Sequence, residues 1–127
     1  MIQTGTYLKI LDNSGAKDIA CIKVAKGYKR KYAFIGDVIT GSIKNIRKNK
    51  KHNTKVKKGE VVKAVVVKTS FRLISKFNEH FKFFDNSAVL INKQHKLLGT
   101  RVFGAVLKKF KYTKYLRIST LASGHIF

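Results

Sequence analysis

The chain has 127 residues, 28 of them basic and 6 acidic, and a formal net charge of +22. Its length suits one domain, and a hydrophobic content of 44% excludes a disordered polycation. So large an excess of one sign repels itself unless a polyanion neutralises it, which puts nucleic acid first and an anionic membrane second among partners.

Met1 to Thr6 lack the basic and apolar regions of a secretory signal and the Arg/Ser-rich pattern of a transit peptide. The protein is therefore expected to act in the compartment where it is made. Tyr7 to Leu11 predicts a first strand. Asp12-Asn-Ser-Gly15 is a turn, since Asp and Asn bond their own downstream backbone and Gly15 supplies positive φ. Ile19 to Ala25 predicts a second strand, paired with the first through a loop longer than two residues. Cys21 is the single cysteine, so the chain holds no internal disulfide and no CxxC pair for zinc. It reads as a small buried thiol beside Ile22 and Val24.

Lys26 to Tyr32 interleaves four cations with Tyr28 and Tyr32. This is a phosphate-gripping loop whose rings stack on bases or riboses, or an ordinary solvated loop between strands. Gly36-Asp37 turns the chain into a third strand, Val38 to Ile46, with Gly41 as a bulge or bend. Arg47 to Lys58 is the most basic loop and contains no acidic residue. Gly59-Glu60 leads from it into a valine-rich strand. Val65, Val66 and Val67 follow one another without alternation, which predicts burial on both faces, as in a central or barrel strand. Phe71 to Phe84 predicts a hairpin arm with Phe77-Asn78-Glu79 between its halves. Ala88 to Ile91 is a further core strand, and Asn92 to Lys96 a polar turn.

From Ala105 the period changes. Val106, Leu107 and Phe110 have helical spacing, as do Tyr115, Leu116, Ile118 and Leu121. These predict two short α-helices, over about 105–111 and 113–121, with Thr113 as N-cap of the second. Ser123-Gly124 is expected to end the regular structure. The pattern predicts a single mostly β domain over 1–127, a small barrel over about 1–104 with a helical appendix over about 105–127.

Little remains for catalysis. Asp12, Asp37, Glu60 and Asp85 lie in or beside turns, Asp18 precedes a strand, and Glu79 is on the arm. His52, His80, His95 and His125 show no metal-ligand spacing. His52 reads as a phosphate donor within the basic loop. Gly99 to Gly104 lacks the Gly-Lys-Ser/Thr ending of a nucleotide-binding loop. The residues expected on RNA phosphates are Lys29, Arg30, Lys31, Arg47, Lys48, Lys50, Lys51, Lys55, Lys57 and Lys58. With 23 lysines among the 28 basic residues, point charges for phosphates outnumber the forks suited to base readout.

Several stretches together resemble the universal large-subunit ribosomal protein L-fourteen family. They are Met1-Ile-Gln3, Asp12-Asn-Ser-Gly-Ala16, Cys21-Ile-Lys-Val24, Gly36-Asp37, Lys55-Val-Lys-Lys-Gly59, Lys63-Ala-Val-Val-Val67, Phe83-Phe-Asp-Asn86 with Val89-Leu90, and Gly99-Thr-Arg-Val-Phe-Gly104. Three features depart from that pattern. Phe77-Asn78 stands for the family's Asp-Gly turn, the loop from Asn45 to Thr54 is longer than the bacterial form, and Ala105 replaces a frequent Pro. The resemblance implies a closed five-stranded β-barrel with an extra hairpin arm and two short C-terminal α-helices. It implies a non-catalytic place, one copy per ribosome, on the large subunit's face toward the small subunit, and no cofactor. Implied partners are large-subunit rRNA, the third and nineteenth large-subunit proteins, and small-subunit rRNA at an intersubunit bridge. A ribosome silencing factor is implied at Thr100, Arg101 and Arg117. The AT-leaning composition and the long lysine loop favour an organelle-encoded copy in the mitochondrial matrix, ahead of a bacterial cytosol or a plastid.

Two rival readings have their own signatures. A free-standing single-strand nucleic-acid-binding barrel of OB or Sm type would use Tyr28, Tyr32, Phe71 and Phe77 as a stacking platform. An anionic-membrane binder would need a helix with a strong apolar face, which the basic loops lack.

Overall fold

The valine run becomes a strand buried on both sides. In the computed structural model, which describes residues 1–25, 27–48 and 54–126, nine strands appear in chain order. They are β1 (Tyr7–Ile10), β2 (Ala16–Val24), β3 (Val38–Ile46), β4 (Val61–Lys68), β5 (Leu73–Ile74), β6 (His80–Phe81), β7 (Ser87–Ile91), β8 (Val102–Leu107) and β9 (Ala122–Ile126). Strands β1-β2-β3-β4-β7 form a closed barrel. Its neighbours are antiparallel except at the closure, where β1 and β7 run parallel. Closure removes the open edges that would otherwise template aggregation.

Two cores explain the valine pattern. Ala64 and Val66 point into the barrel with Leu8, Ile19, Ile39, Ile43 and Leu90. Val65 and Val67 point outward, against Val102, Val106, Phe110 and Ile118. Strand β7 does the same, with Ala88 and Leu90 inside and Val89 and Ile91 outside. The outer layer that covers this flank comes from the C-terminal segment. Cys21 is buried among the inner residues, and burial pushes its thiol pKa up.

Gly41 faces Cys21 across β2 and β3, where the register slips between Cys21 and Lys23. A Cβ at Gly41 would lie 2.6 Å from the Ala20 carbonyl oxygen and 2.7 Å from Ile19 Cγ1. The glycine lets Ile19 fill the barrel, and the extra residue of the bulge lies on β2, as Ile22, not on β3.

The arm forms as expected, with Leu73 opposite Phe81 and Ile74 opposite His80. Asn78 closes it at φ 59, the left-handed conformation that Asn tolerates better than most residues.

The C-terminal segment departs from the sequence reading in three places. Ala105 to Leu107 belong to strand β8, and the turns that follow are a 3-10 helix, Lys108–Tyr112. The α-helix α1 is Leu116–Leu121 and has no side-chain cap. Thr113 ends the 3-10 helix instead: its hydroxyl donates to the Phe110 carbonyl at 3.1 Å and accepts the Tyr115 N–H at 3.3 Å. Ser123-Gly124 does not end the regular structure, because Ala122–Ile126 is β9, paired in parallel with β8. Gly104, at φ 81, sits within a register shift between Val102 and Ala105. That irregularity leaves Val106 and Leu107 both buried, a doublet that resembles helical spacing.

Candidate nucleic-acid interface

The Asp12-Asn-Ser-Gly15 turn is the hub from which the basic loops hang. Asp12 is fully buried. One of its oxygens accepts the Ser14 N–H and the Ser14 hydroxyl, and the other accepts the Leu90 N–H at 3.0 Å. The charge therefore sits inside a ring of donors, as a buried carboxylate must. From this anchor the Gly15 carbonyl accepts the Arg47 N–H at 2.9 Å and the Ser14 carbonyl accepts the Lys55 N–H at 3.0 Å. Both ends of the lysine loop are thus fixed to one turn.

The same turn holds the segment after β7. Asn13 Oδ1 accepts the N–H groups of Thr100 (2.8 Å) and Arg101 (3.3 Å), while its Nδ2 donates to the Thr100 hydroxyl at 2.7 Å. A Cβ at Gly99 would lie 2.8 Å from both Asn13 Oδ1 and Asp12 Cβ. This close approach explains the glycine at the start of the Gly-Thr-Arg turn.

Among the described residues cations line several concavities, and two of these hold expected phosphate ligands with no carboxylate in the lining. One, of about 380 Å³, is lined by Lys29, Arg30 and Lys31 from the β2–β3 loop together with Lys23 of β2. The other, of about 510 Å³, brings Lys55, Thr100 and Arg117 together with His95, Lys96 and Lys114. No carboxylate lines either one. Arg101 is exposed on the same turn as Thr100 but outside that lining. Lys48, Lys57 and Lys58 are exposed elsewhere on the lysine loop and its exit. Lys50, Lys51 and His52 lie outside the described residues.

Three expected phosphate ligands also support the fold. Arg30 Nη2 pairs with Asp37 Oδ2 at 2.8 Å, and its Nε donates to the Tyr32 carbonyl at 3.3 Å. Arg47 is half-buried, donates to the Ile10 carbonyl at 3.0 Å and lies over the Phe103 ring at 5.4 Å. Lys55 Nζ donates to the Leu98 carbonyl at 2.7 Å. Lys109, outside the expected set, is spent in the same way: it donates to the Ile35 carbonyl at 2.9 Å. Burial lowers its pKa, partly opposed by the attraction of Asp37. Lys23, Lys96 and Lys114 were missed because nothing local marks them. They reach the two concavities only through strand order and the fold-back of the C-terminal segment.

Five of the six acidic side chains are occupied, and Glu79, on the arm, is exposed. Besides Asp12 and Asp37, Asp18 accepts from Asn45 Nδ2 at 3.0 Å, Glu60 from the Lys57 N–H at 2.9 Å, and Asp85 pairs with Lys9 at 3.1 Å. Among the described residues no group of three or more His, Cys, Asp or Glu is placed to hold a metal ion. No helix among them is long and apolar enough to cross a membrane.

A closed five-stranded barrel that presents carboxylate-free cationic hollows defines a small, basic, polyanion-binding class of protein. Comparison with known families gives the particular one. The family model described as ribosomal protein L14p/L23e matches residues 1–126, and the chain belongs to that family. It is a family of structural proteins of the large ribosomal subunit and not of enzymes. The chain is accordingly a ribosomal protein that works among rRNA and other ribosomal proteins.

Proposed function

We propose that this protein grips large-subunit rRNA through Lys29, Arg30, Lys31, Arg47, Lys48, Lys50, Lys51, Lys55, Lys57 and Lys58. Lys23, Lys96 and Lys114 are added to that set. The observation that carries the reading is the pair of cation-lined hollows, both free of carboxylate, one of them held on the Asp12–Gly15 hub. Lysines act here by releasing counterions from phosphates, so recognition is of RNA shape and backbone more than of sequence.

Thr100 and Arg117, which share the second hollow with Lys55, Lys96 and Lys114, and the neighbouring Arg101 are assigned to protein contact where that hollow borders the rRNA, and with it to the face toward the small subunit. Their partners there would be the third and nineteenth large-subunit proteins, a small-subunit RNA bridge and a silencing factor. The stiff Asn13 clamp supports this assignment, because a rigid turn loses little entropy on docking. A mitochondrial ribosome is the proposed setting, supported by the AT-leaning composition and the lysine-rich loop between Asn45 and Thr54.

The test is a salt titration of the purified protein with large-subunit rRNA fragments. With roughly 6–10 phosphate contacts, affinity falls about 10³-fold or more between 50 and 200 mM salt. A flat titration would overturn the phosphate reading. Sedimentation of a lysate at moderate salt separates a subunit-bound protein from a free-standing single-strand binder.

A further inference from the structure

Four aromatic rings stand away from both cores. Tyr28, Phe77, Phe84 and Tyr112 are 91, 85, 94 and 88% exposed, and the next most exposed large apolar side chain among the described residues, Ile74, is 66% exposed. All four lie outside the barrel strands: in the β2–β3 loop, at the tip and the end of the arm, and at the last residue of the 3-10 helix. Each has a lysine within two positions: Lys29, Lys76, Lys82, and Lys111 with Lys114. Lys29 Nζ lies 5.4 Å from the Tyr28 ring centre. Of the acidic neighbours, Asp85 beside Phe84 is engaged by Lys9, while Glu79, two positions from Phe77, is exposed.

An apolar protein-docking site is a contiguous patch whose centre is depleted of charge. These rings are instead carried on separate connections, each accompanied by an ammonium group, and the hollow that Phe77 lines with Leu73, Ile74, Phe81 and Leu107 is itself rimmed by Lys76, Lys108 and Lys109. A ring for a base and a cation for its phosphate is the pairing that holds unpaired nucleotides, and it tolerates any sequence because every base has a π-face. We propose that Tyr28, Phe77, Phe84 and Tyr112 each stack on an unpaired nucleobase of large-subunit rRNA, while the adjacent lysine contacts that nucleotide's phosphate. This rests on the rRNA-binding reading above and adds what is read: single-stranded loops and bulges, alongside the backbone of paired helices.

The test uses two RNAs of equal length. One is a loop- and bulge-bearing fragment of large-subunit rRNA with 2-aminopurine in its unpaired positions; the other is a perfect duplex. The quadruple variant Tyr28→Ala, Phe77→Ala, Phe84→Ala, Tyr112→Ala should lose about tenfold or more affinity for the first and lose its 2-aminopurine quenching. It should hold the duplex within about twofold and keep the salt slope. The swap Tyr28→Phe, Phe77→Tyr, Phe84→Tyr, Tyr112→Phe should restore wild-type binding. Equal binding of both RNAs by wild type and alanine variant, or an equal loss on both, would overturn the stacking while leaving phosphate binding intact. Crosslinking of these rings to protein and not to nucleotide in the assembled subunit would overturn it in favour of a protein surface. If the wild type shows no salt-dependent affinity for either RNA, the underlying reading falls as well.

Discussion

Asp12 shows how much one residue can carry. It is fully buried, yet its oxygens accept from Ser14 and Leu90 at the point where β1, the lysine loop and the segment after β7 meet. Removing it strands the Leu90 N–H inside the barrel wall, and an unmet buried donor costs its full desolvation. Asp12→Ala should lower stability by about 3 kcal/mol, measured by urea unfolding. Asp18→Ala, which removes only a bond to Asn45 near the surface, should cost about 1 kcal/mol or less. Equal losses from the two variants would show that the hub is not where the stability lies. The turn itself was legible, because an Asp-Asn-Ser-Gly run has few other uses. The reach of Asp12 to Leu90, 78 residues away, was not, since no local pattern encodes a partner that only barrel closure brings near.

At the scale of elements, the sequence was most informative where a strand is buried on both faces and least where the chain folds back late. Val38–Ile46 and the valine strand are legible because β-branched residues and bounding glycines leave little alternative. Strand β9 was not. A Ser-Gly pair near the end of a chain resembles a stop, and its parallel pairing with β8 depends on α1 returning the chain to the right edge. Gly104 then hid β8 itself, because a break in strand register turns alternation into an adjacent buried pair. The candidate site divides the same way: the charged loops are visible as runs, while Lys96 and Lys114 join Lys55 only through tertiary structure. The clamp between the hub and the Gly-Thr-Arg turn makes a direct prediction. Asn13→Ala removes the acceptor of the Thr100 and Arg101 N–H groups in a turn outside the barrel strands. Hydrogen exchange at those two amides should accelerate about tenfold or more, with exchange in β3 and β4 unchanged. Acceleration across the barrel strands would mean that the turn supports the core, not the surface.

For the whole molecule, the dominant fact is an unbalanced charge held on a stiff frame. Among the described residues two ion pairs are formed, Lys9–Asp85 and Arg30–Asp37, against an excess of +22 over the chain. The remaining ammonium groups repel one another in the free protein and are attracted to phosphates in the bound one. Salt screens both interactions, over about 10 Å at 0.1 M and about 3 Å at 1 M, so the two readouts must move in opposite directions. Raising KCl from about 0.05 to 0.5 M should stabilise the free protein by about 1 kcal/mol, seen as a rise in Tm of about 4 °C. Over the same interval affinity for rRNA should fall by orders of magnitude. A protein whose cations were neutralised internally would lose stability with salt, because its ion pairs would be screened. A falling Tm would therefore contradict the view that these charges are kept for a polyanion. The frame makes the comparison clean: with no unpaired edge in the barrel and two apolar layers behind β4 and β7, the fold rests chiefly on apolar packing, and few of its cations, among them Arg30, Arg47, Lys55 and Lys109, also brace it.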